Sequence, residues 1–238
     1  MTIPQDRNVV SRDEWTRARM ALLAREKEFT HLRDQLSAER RSLPWVRVDK
    51  QYVFEGPDGK ETLAELFHGR SQLIVYHFML GPDWQEGCKS CSFWADNFNG
   101  IDAHLAARDV TLLAISSAPY SKIAAFKARM GWTFKWVSSA GSDFNHDYHV
   151  TFSPQELEQG EVNYNYAWSR LSDTEWPGVS VFYRDTDGSI YHTYSCYARG
   201  IDMLNGAYNF LDLVPKGRDE AGLNFSMAWV RLHDSYNI

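Results

Sequence analysis

The chain has 238 residues and a net charge of −6, with 44% hydrophobic, 24% charged and 14% aromatic residues. That length suits one large domain or a domain with additions. Short basic clusters such as Arg40-Arg41 sit among acids and leave no footprint for nucleic acid, and no apolar run reaches membrane-spanning length, so neither partner is expected.

Residues 11–41 read as one long helix. Ser11-Arg12-Asp13-Glu14 fits a capping box, in which the serine oxygen accepts from the third helical amide and the glutamate reaches back. Trp15, Leu22, Phe29, Leu32 and Leu36 recur at helical steps and make one apolar stripe. Pro44 stops the helix. Such a stripe calls for cover from the rest of the chain or from a second subunit, so a homodimer through this helix is one expectation. Residues 46–55 read as a strand, closed by the turn Gly56-Pro57-Asp58-Gly59. Residues 63–67 fit a short helix. The run from Gln72 to Leu80 is apolar and β-branched, the pattern of a buried central strand.

Residues 92–108 read as a helix on the period of Trp94, Phe98, Ile101 and Leu105. Residues 110–116 form a second buried strand, 119–130 a helix with Ile123, Phe126 and Met130 on one face, and 134–137 a third strand. Residues 138–177 are aromatic and polar, and no regular element stands out; a stretch of that length is functional or carries structure that periodicity hides. A strand over 179–184, a turn at Asp185-Thr186-Asp187-Gly188 and a returning strand over 190–194 follow. Residues 201–211 read as a helix, and loops run on from Pro215.

The expected organisation is a helical extension over 1–45 and one domain over 46–238, with an inserted aromatic and polar segment at about 138–177. Strand-helix-strand-helix followed by a hairpin and a helix implies an α/β fold with parallel core strands and an antiparallel addition. It is the element order of a thioredoxin-like central sheet with flanking helices, preceded here by the long N-terminal helix.

Three cysteines, Cys88, Cys91 and Cys196, are too few and odd in number for a disulfide-stapled secreted scaffold. The polar N-terminus lacks the pattern of a secretory signal. A cytoplasmic location is expected.

Cys88-Lys89-Ser90-Cys91 stands where a buried strand ends and a helix begins. Free helix amides there lower a thiol pKa, Lys89 adds positive charge, and two intervening residues let both sulfurs meet on one turn. In such a pair the first thiol, Cys88, is the nucleophile and the second, Cys91, resolves the adduct as a disulfide. This predicts a thiol–disulfide oxidoreductase or thiol peroxidase acting on a small-molecule or protein thiol or disulfide, with no cofactor. Two alternatives stay open. A zinc or copper site could use Cys88 and Cys91 with His149 or His192, although histidines in an aromatic loop are ordinarily hydrogen-bonding residues. A non-catalytic scaffold could bind a ligand through residues 143–176. Cys196 reads as a small buried hydrophobe.

Several blocks resemble one family: Gly81-Pro82-Asp83-Trp84, Gly87-Cys88-Lys89-Ser90-Cys91-Ser92-Phe93-Trp94-Ala95-Asp96, Ser142-Asp143-Phe144-Asn145, Pro177-Gly178-Val179, His192-Thr193-Tyr194 and Tyr197-Ala198-Arg199-Gly200. The family is largely bacterial, is catalogued as a domain of unknown function and is grouped with the thioredoxin-like superfamily. The resemblance runs from the first helix to His233 and implies the fold rather than a substrate. Lys89-Ser90 replaces the Gly-Pro of the usual thioredoxin motif, and Glu86-Gly87 precedes the pair in place of a tryptophan. Within the blocks, Trp84, Trp94, Gly178 and Tyr197 are expected to meet substrate. Arg199 is expected to stabilise a thiolate or an anion, or else to form a structural ion pair. Asp83 and Asp96 are proton carriers or helix caps. Thioredoxin-like proteins also place a cis-proline before the hairpin strand. Pro177 lies near that place, but the register counted from the hairpin falls closer to Val179, so no cis bond is assigned.

Overall fold

The computed structural model describes residues 8–237; residues 1–7 of the expected extension lie outside them. The chain divides into two compact units at Pro44/Trp45. The first is helix α1, Arg12–Arg41. Its capping box forms: Glu14 N–H donates to Ser11 Oγ at 3.3 Å and Ser11 N–H donates to Glu14 Oε2 at 2.9 Å. Acids in its first turn and arginines in its last oppose the helix dipole. None of its residues is buried, and Trp15, Leu22, Phe29, Leu32 and Leu36 are exposed.

The second unit is built on one sheet. Residues 46–55 do not make one strand. They divide into β1, Val46–Arg47, and β2, Val53–Gly56, which a tight turn joins to β3, Gly59–Thr62. Charged and polar residues Asp49, Lys50 and Gln51 separate the two pieces. Thr62 then caps α2, Leu63–Leu66, with a second capping box to Glu65. Strand β4, Gln72–His77, is apolar toward both faces because both are covered. After it come α3, Lys89–Ala95, and α4, Asp102–Ala106, in place of one continuous helix. Asn97 breaks the run: its side-chain amide bonds back to the carbonyls of Phe93 and Trp94, and Gly100 turns the chain at φ +83°.

Strand β5, Val110–Ser116, helix α5, Tyr120–Arg129, and strand β6, Lys135–Ser138, follow as expected. The stretch without a periodic signal holds helices α6, Phe144–Asp147, and α7, Pro154–Gln159, and a small hairpin of β7, Val162–Tyr164, and β8, Ala167–Ser169. Strands β9, Gly178–Arg184, and β10, Ile190–Tyr197, form the long hairpin. A 3-10 turn over Ala198–Leu204 and a short helix α8, Gly206–Leu211, replace the single expected helix. Asn205 separates them by accepting from Tyr208 N–H at 3.0 Å.

The strand order is β1-β10-β9-β4-β5-β6-β2-β3, so the two halves of the stretch read as one strand lie on opposite sides of the sheet, β1 at one edge and β2 next to the other. β4, β5 and β6 are parallel neighbours, and β9 runs antiparallel to β4. This is the thioredoxin-like arrangement: parallel strands at the centre, an antiparallel hairpin on their flank and helices packed around them. β4 divides the core. Tyr76 and Phe78 face the cluster that contains Cys91 and Trp94, whereas Leu73 and Val75 face the other cluster with Phe144 and Phe182. Among the described residues no helix is long and apolar enough to cross a membrane.

Gly178 is fixed by packing rather than by its backbone angle. A Cβ there would lie 2.6 Å from Cδ1 of Tyr197 and 3.2 Å from Val150 Cγ1. Both neighbours are buried, and Tyr197 Oη donates to the Tyr148 carbonyl at 3.1 Å. Gly178→Ala is therefore expected to cost about 1–3 kcal/mol through overpacking, read as a lower urea midpoint with an unchanged slope. An unchanged midpoint would show that the Tyr197 ring can move aside.

Candidate functional site

The loop between β4 and α3 brings the cysteine pair back onto the end of β4. Cys88 N–H donates to the Met79 carbonyl at 3.1 Å, and Gly87 allows this approach: a Cβ there would lie 2.5 Å from Phe126 Cε1 and 2.8 Å from Phe78 Cε1. Lys122 Nζ ties the loop by donating to the carbonyls of Pro82 at 2.5 Å and Trp84 at 2.7 Å.

Cys88 is the N-cap residue of α3 and is half-buried, while Cys91 in the first turn is fully buried; both are free thiols. Their environments drive them apart. The Cys91 thiol donates to the Cys88 sulfur, and the backbone amides of Cys91 and Ser90 add to it, so the Cys88 pKa falls to about 7 despite burial. Cys91 is held well above the ordinary thiol value by burial first, then by donating to Cys88 and by the negative charge there. Met79 N–H donates to Cys91 Sγ at 3.5 Å. The pair is thus an ionisable sulfur near the surface backed by a protonated one in the core.

A cavity of about 210 Å³ adjoins Cys91. Tyr76, Met79, Trp94, Pro177, Ile201 and Met227 supply most of its wall, and Ser90 and the Arg199–Asp202 pair complete it. Of the site residues named from sequence, the structure gathers Cys91, Trp94 and Arg199 at this cavity, with the Cys88 thiol beside Cys91. Arg199 is exposed and paired with Asp202 at 3.1 Å. Trp94 is buried and donates from Nε1 to the Ile201 carbonyl at 2.8 Å. Trp84 lies outside, over Gly81. Gly178 and Tyr197 are not in the cavity wall, and the ring of Tyr197 fills the space over Gly178. Pro177 does line it, and its peptide bond is trans. Asp83 is exposed, and Asp96 caps the end of α3, accepting from Trp132 Nε1 at 2.8 Å and bonding His233 Nδ1 at 2.7 Å. Cys196 is half-buried against the same core cluster.

The histidines of the metal alternative are elsewhere. His149 is exposed with φ +55°, and the ring of His192 packs against Tyr148 and Phe182. Among the described residues no three His, Cys, Asp or Glu side chains gather as a metal set.

Sequence reasoning missed two buried groups, one beside Cys91 and one beside the loop that leads to the pair. Tyr76 is 1% exposed, and its hydroxyl has no conventional hydrogen-bond partner, the Cys91 sulfur being its polar neighbour. Glu175 is buried next to Gly81, accepting from Ser117 Oγ at 2.7 Å and Thr151 Oγ1 at 2.9 Å. Burial pushes its carboxyl up to about 7, against the pull of both hydroxyls. Neither residue stands in a motif; strand alternation puts Tyr76 on the cysteine side, and the bridge Thr151–Glu175 sets the carboxyl in place.

The opposite face of the sheet carries a second polar group. His77 bonds Asn145 Oδ1 through Nδ1 at 3.3 Å and Ser180 Oγ through Nε2 at 2.9 Å. Ser180 Oγ meets Ser195 Oγ at 2.8 Å. Ser195 Oγ meets His192 Nε2 at 2.7 Å, and that nitrogen also lies 3.0 Å from the Tyr194 carbonyl. A bulge between His192 and Tyr194 lets His192 and Ser195 share this face. Burial lowers the pKa of both imidazoles, His77 to about 4.

The profile of a family described as "Bacterial protein of unknown function (DUF899)" matches residues 4–236. No curated protein matches the sequence. Among solved structures, the peroxidoxin BcpB from Mycobacterium tuberculosis is 13% identical with a TM-score of 0.45, over 68% of this chain and 93% of that one. Peroxiredoxin Q from Xanthomonas campestris is 15% identical with a TM-score of 0.41, over 65% and 87%.

Proposed function

The chain belongs to DUF899, a family of bacterial proteins of unknown function, and on that premise we propose that it is a cytoplasmic thiol-dependent oxidoreductase in which Cys88 is the nucleophile and Cys91 the resolving thiol. The observation that carries this reading is the asymmetry of the pair: one sulfur is half-buried with its pKa lowered, and its neighbour is buried and held protonated. A structural pair of buried thiols gains nothing from such a difference, whereas exchange chemistry uses both halves of it.

The Cys88 thiolate attacks one sulfur of a disulfide, forming a mixed disulfide and expelling the other sulfur as a thiolate. Cys91 then loses its proton and attacks Cys88 Sγ; the second substrate sulfur leaves as a thiolate, and the Cys88–Cys91 disulfide forms. Two electrons pass from the pair to the substrate, and the Cys91 proton ends on the leaving sulfur. A hydroperoxide would be attacked at its terminal oxygen by the Cys88 thiolate, the O–O bond breaking to release the alcohol and leave a Cys88 sulfenic acid, and water would leave when Cys91 attacks that sulfur and closes the disulfide. A dithiol reductant returns the pair to its starting state.

The test is thiol titration of wild type and Cys91→Ser in graded glutathione buffers, with metal analysis of the same samples. Wild type is expected to show one reversible two-electron couple. Cys91→Ser is expected to lose it and to accumulate glutathione on Cys88, detected by mass. Thiols that resist oxidation, together with near-stoichiometric bound metal, would replace this reading with the metal one.

A further inference from the structure

We propose that the cavity beside Cys91 is a binding site for a small uncharged organic molecule, the size of one substituted ring, that carries a hydrogen-bond acceptor for the Tyr76 hydroxyl. The inference goes beyond the redox reading and stands on the cavity alone.

Size comes first. An engineered apolar cavity of about 150 Å³ admits a benzene molecule, so the 210 Å³ here has room for a ring and a short substituent. The wall comes next. Tyr76, Met79, Trp94, Pro177, Ile201 and Met227 present carbon and sulfur, and the two methionines can adjust to the shape of a guest. Charge is balanced at the cavity. Arg199 is paired with Asp202 at 3.1 Å, and Arg218, which also reaches Asp202 at 3.2 Å, is paired with Asp212 at 2.8 Å, so two cations meet two carboxylates and no unpaired charge is left to compensate an ionic guest.

The polar groups decide the chemistry. Trp94 Nε1–H is already given to the Ile201 carbonyl at 2.8 Å. Tyr76 Oη is buried, has no oxygen or nitrogen partner and only the Cys91 sulfur as a polar neighbour, and belongs to a residue of the wall. Sulfur is a weak acceptor, so this buried hydroxyl is undersatisfied and gains from an oxygen placed beside it. Burial keeps the phenol protonated, so it is offered as a donor. A carbonyl or ether oxygen on an otherwise apolar molecule satisfies it without bringing in an unpaired donor.

Calorimetric titration of the full chain with acetophenone, ethylbenzene and benzoate tests this. Acetophenone is expected to bind saturably, ethylbenzene about tenfold more weakly for want of the acceptor, and benzoate not at all. Tyr76→Phe should reduce acetophenone to the affinity of ethylbenzene, leave ethylbenzene unchanged and keep a cooperative thermal transition, because only a weak contact with the Cys91 sulfur is lost. Met227→Trp should fill the cavity and exclude both rings. Undiminished acetophenone binding by Tyr76→Phe, benzoate binding as tight as acetophenone, or no saturable binding of either ring by wild type would each overturn the proposal. The Cys88/Cys91 couple is titrated on the same samples: binding lost with the couple present refutes this inference alone, and a couple absent with binding present refutes only the redox reading.

Discussion

Cys88→Ser is expected to lower thiol–disulfide exchange by at least about a thousandfold, because a hydroxyl replaces the only sulfur of the pair that ionises near neutrality. The fold should survive, since a serine oxygen can accept from the same Ser90 and Cys91 amides. The accompanying pH profile is more specific. Only the thiolate reacts, so wild-type alkylation by iodoacetamide should be flat above about pH 7 and fall tenfold per pH unit below it. Cys91, held well above the ordinary thiol value, should stay unmodified across that range. Mass mapping of the alkylated peptide separates the two sulfurs. A midpoint near the ordinary thiol value of 9.0, or alkylation of Cys91 first, would show that the assignment of nucleophile and resolving thiol is reversed or void.

Glu175 should impose a pH dependence on stability of comparable weight. Its carboxyl is raised from 4.5 to about 7 in the folded protein. Below pH 4.5 it is protonated in both states and contributes no penalty. As pH rises the unfolded chain ionises first, so stability is lost progressively through pH 7 and levels off above it. The separation corresponds to about 3 kcal/mol. Glu175→Gln keeps an acceptor for Ser117 or Thr151 and has no charge to bury. Its urea stability should therefore fall by about 3 kcal/mol less than that of wild type between pH 4.5 and pH 8. Parallel profiles for the two proteins would refute a buried, proton-holding Glu175.

What sequence could show followed what was local. Val110–Ser116 and Gln72–His77 are legible because strands covered on both faces carry near-continuous apolar runs, here over residues 112–115 and 73–76. Helix α1 is legible from Ser11 and Glu14 alone. Residues 46–55 mislead because each of their two strand-like pieces has a partner far along the chain, β10 for one and, besides its hairpin mate β3, β6 for the other, and no local pattern records that they go to opposite sides of the sheet. The break after Ala95 was signalled by Asn97 and Gly100 but masked by the continuing period of Phe98, Ile101 and Leu105. In the stretch 138–177, Ser153-Pro154-Gln155-Glu156 is a helix start with its own capping box and was open to reading. The β7–β8 turn was less so, since Asn165 and Tyr166 both take positive φ where a glycine would have announced it. At the site, the cysteines announce themselves by spacing. Tyr76 reads as one more apolar strand residue and Glu175 as one more polar loop residue. Only the closure of the sheet shows that one hydroxyl is left with a sulfur for its neighbour and one carboxyl is shut away.

The chain of side chains behind the sheet has a consequence in proton counting. The Tyr194 carbonyl can only accept, so His192 carries its hydrogen on Nε2, toward it and Ser195. Asn145 Oδ1 can only accept, so His77 carries its hydrogen on Nδ1 and turns a bare Nε2 to Ser180. Between them the two hydroxyls must both point the same way, Ser195 toward Ser180 and Ser180 toward His77. The four side chains form a one-way file in which every link has one hydrogen and none is spare. The two imidazoles are opposite tautomers fixed by each other across three strands, and a proton added to His77 would set donor against donor at Ser180 and reverse or break the whole file.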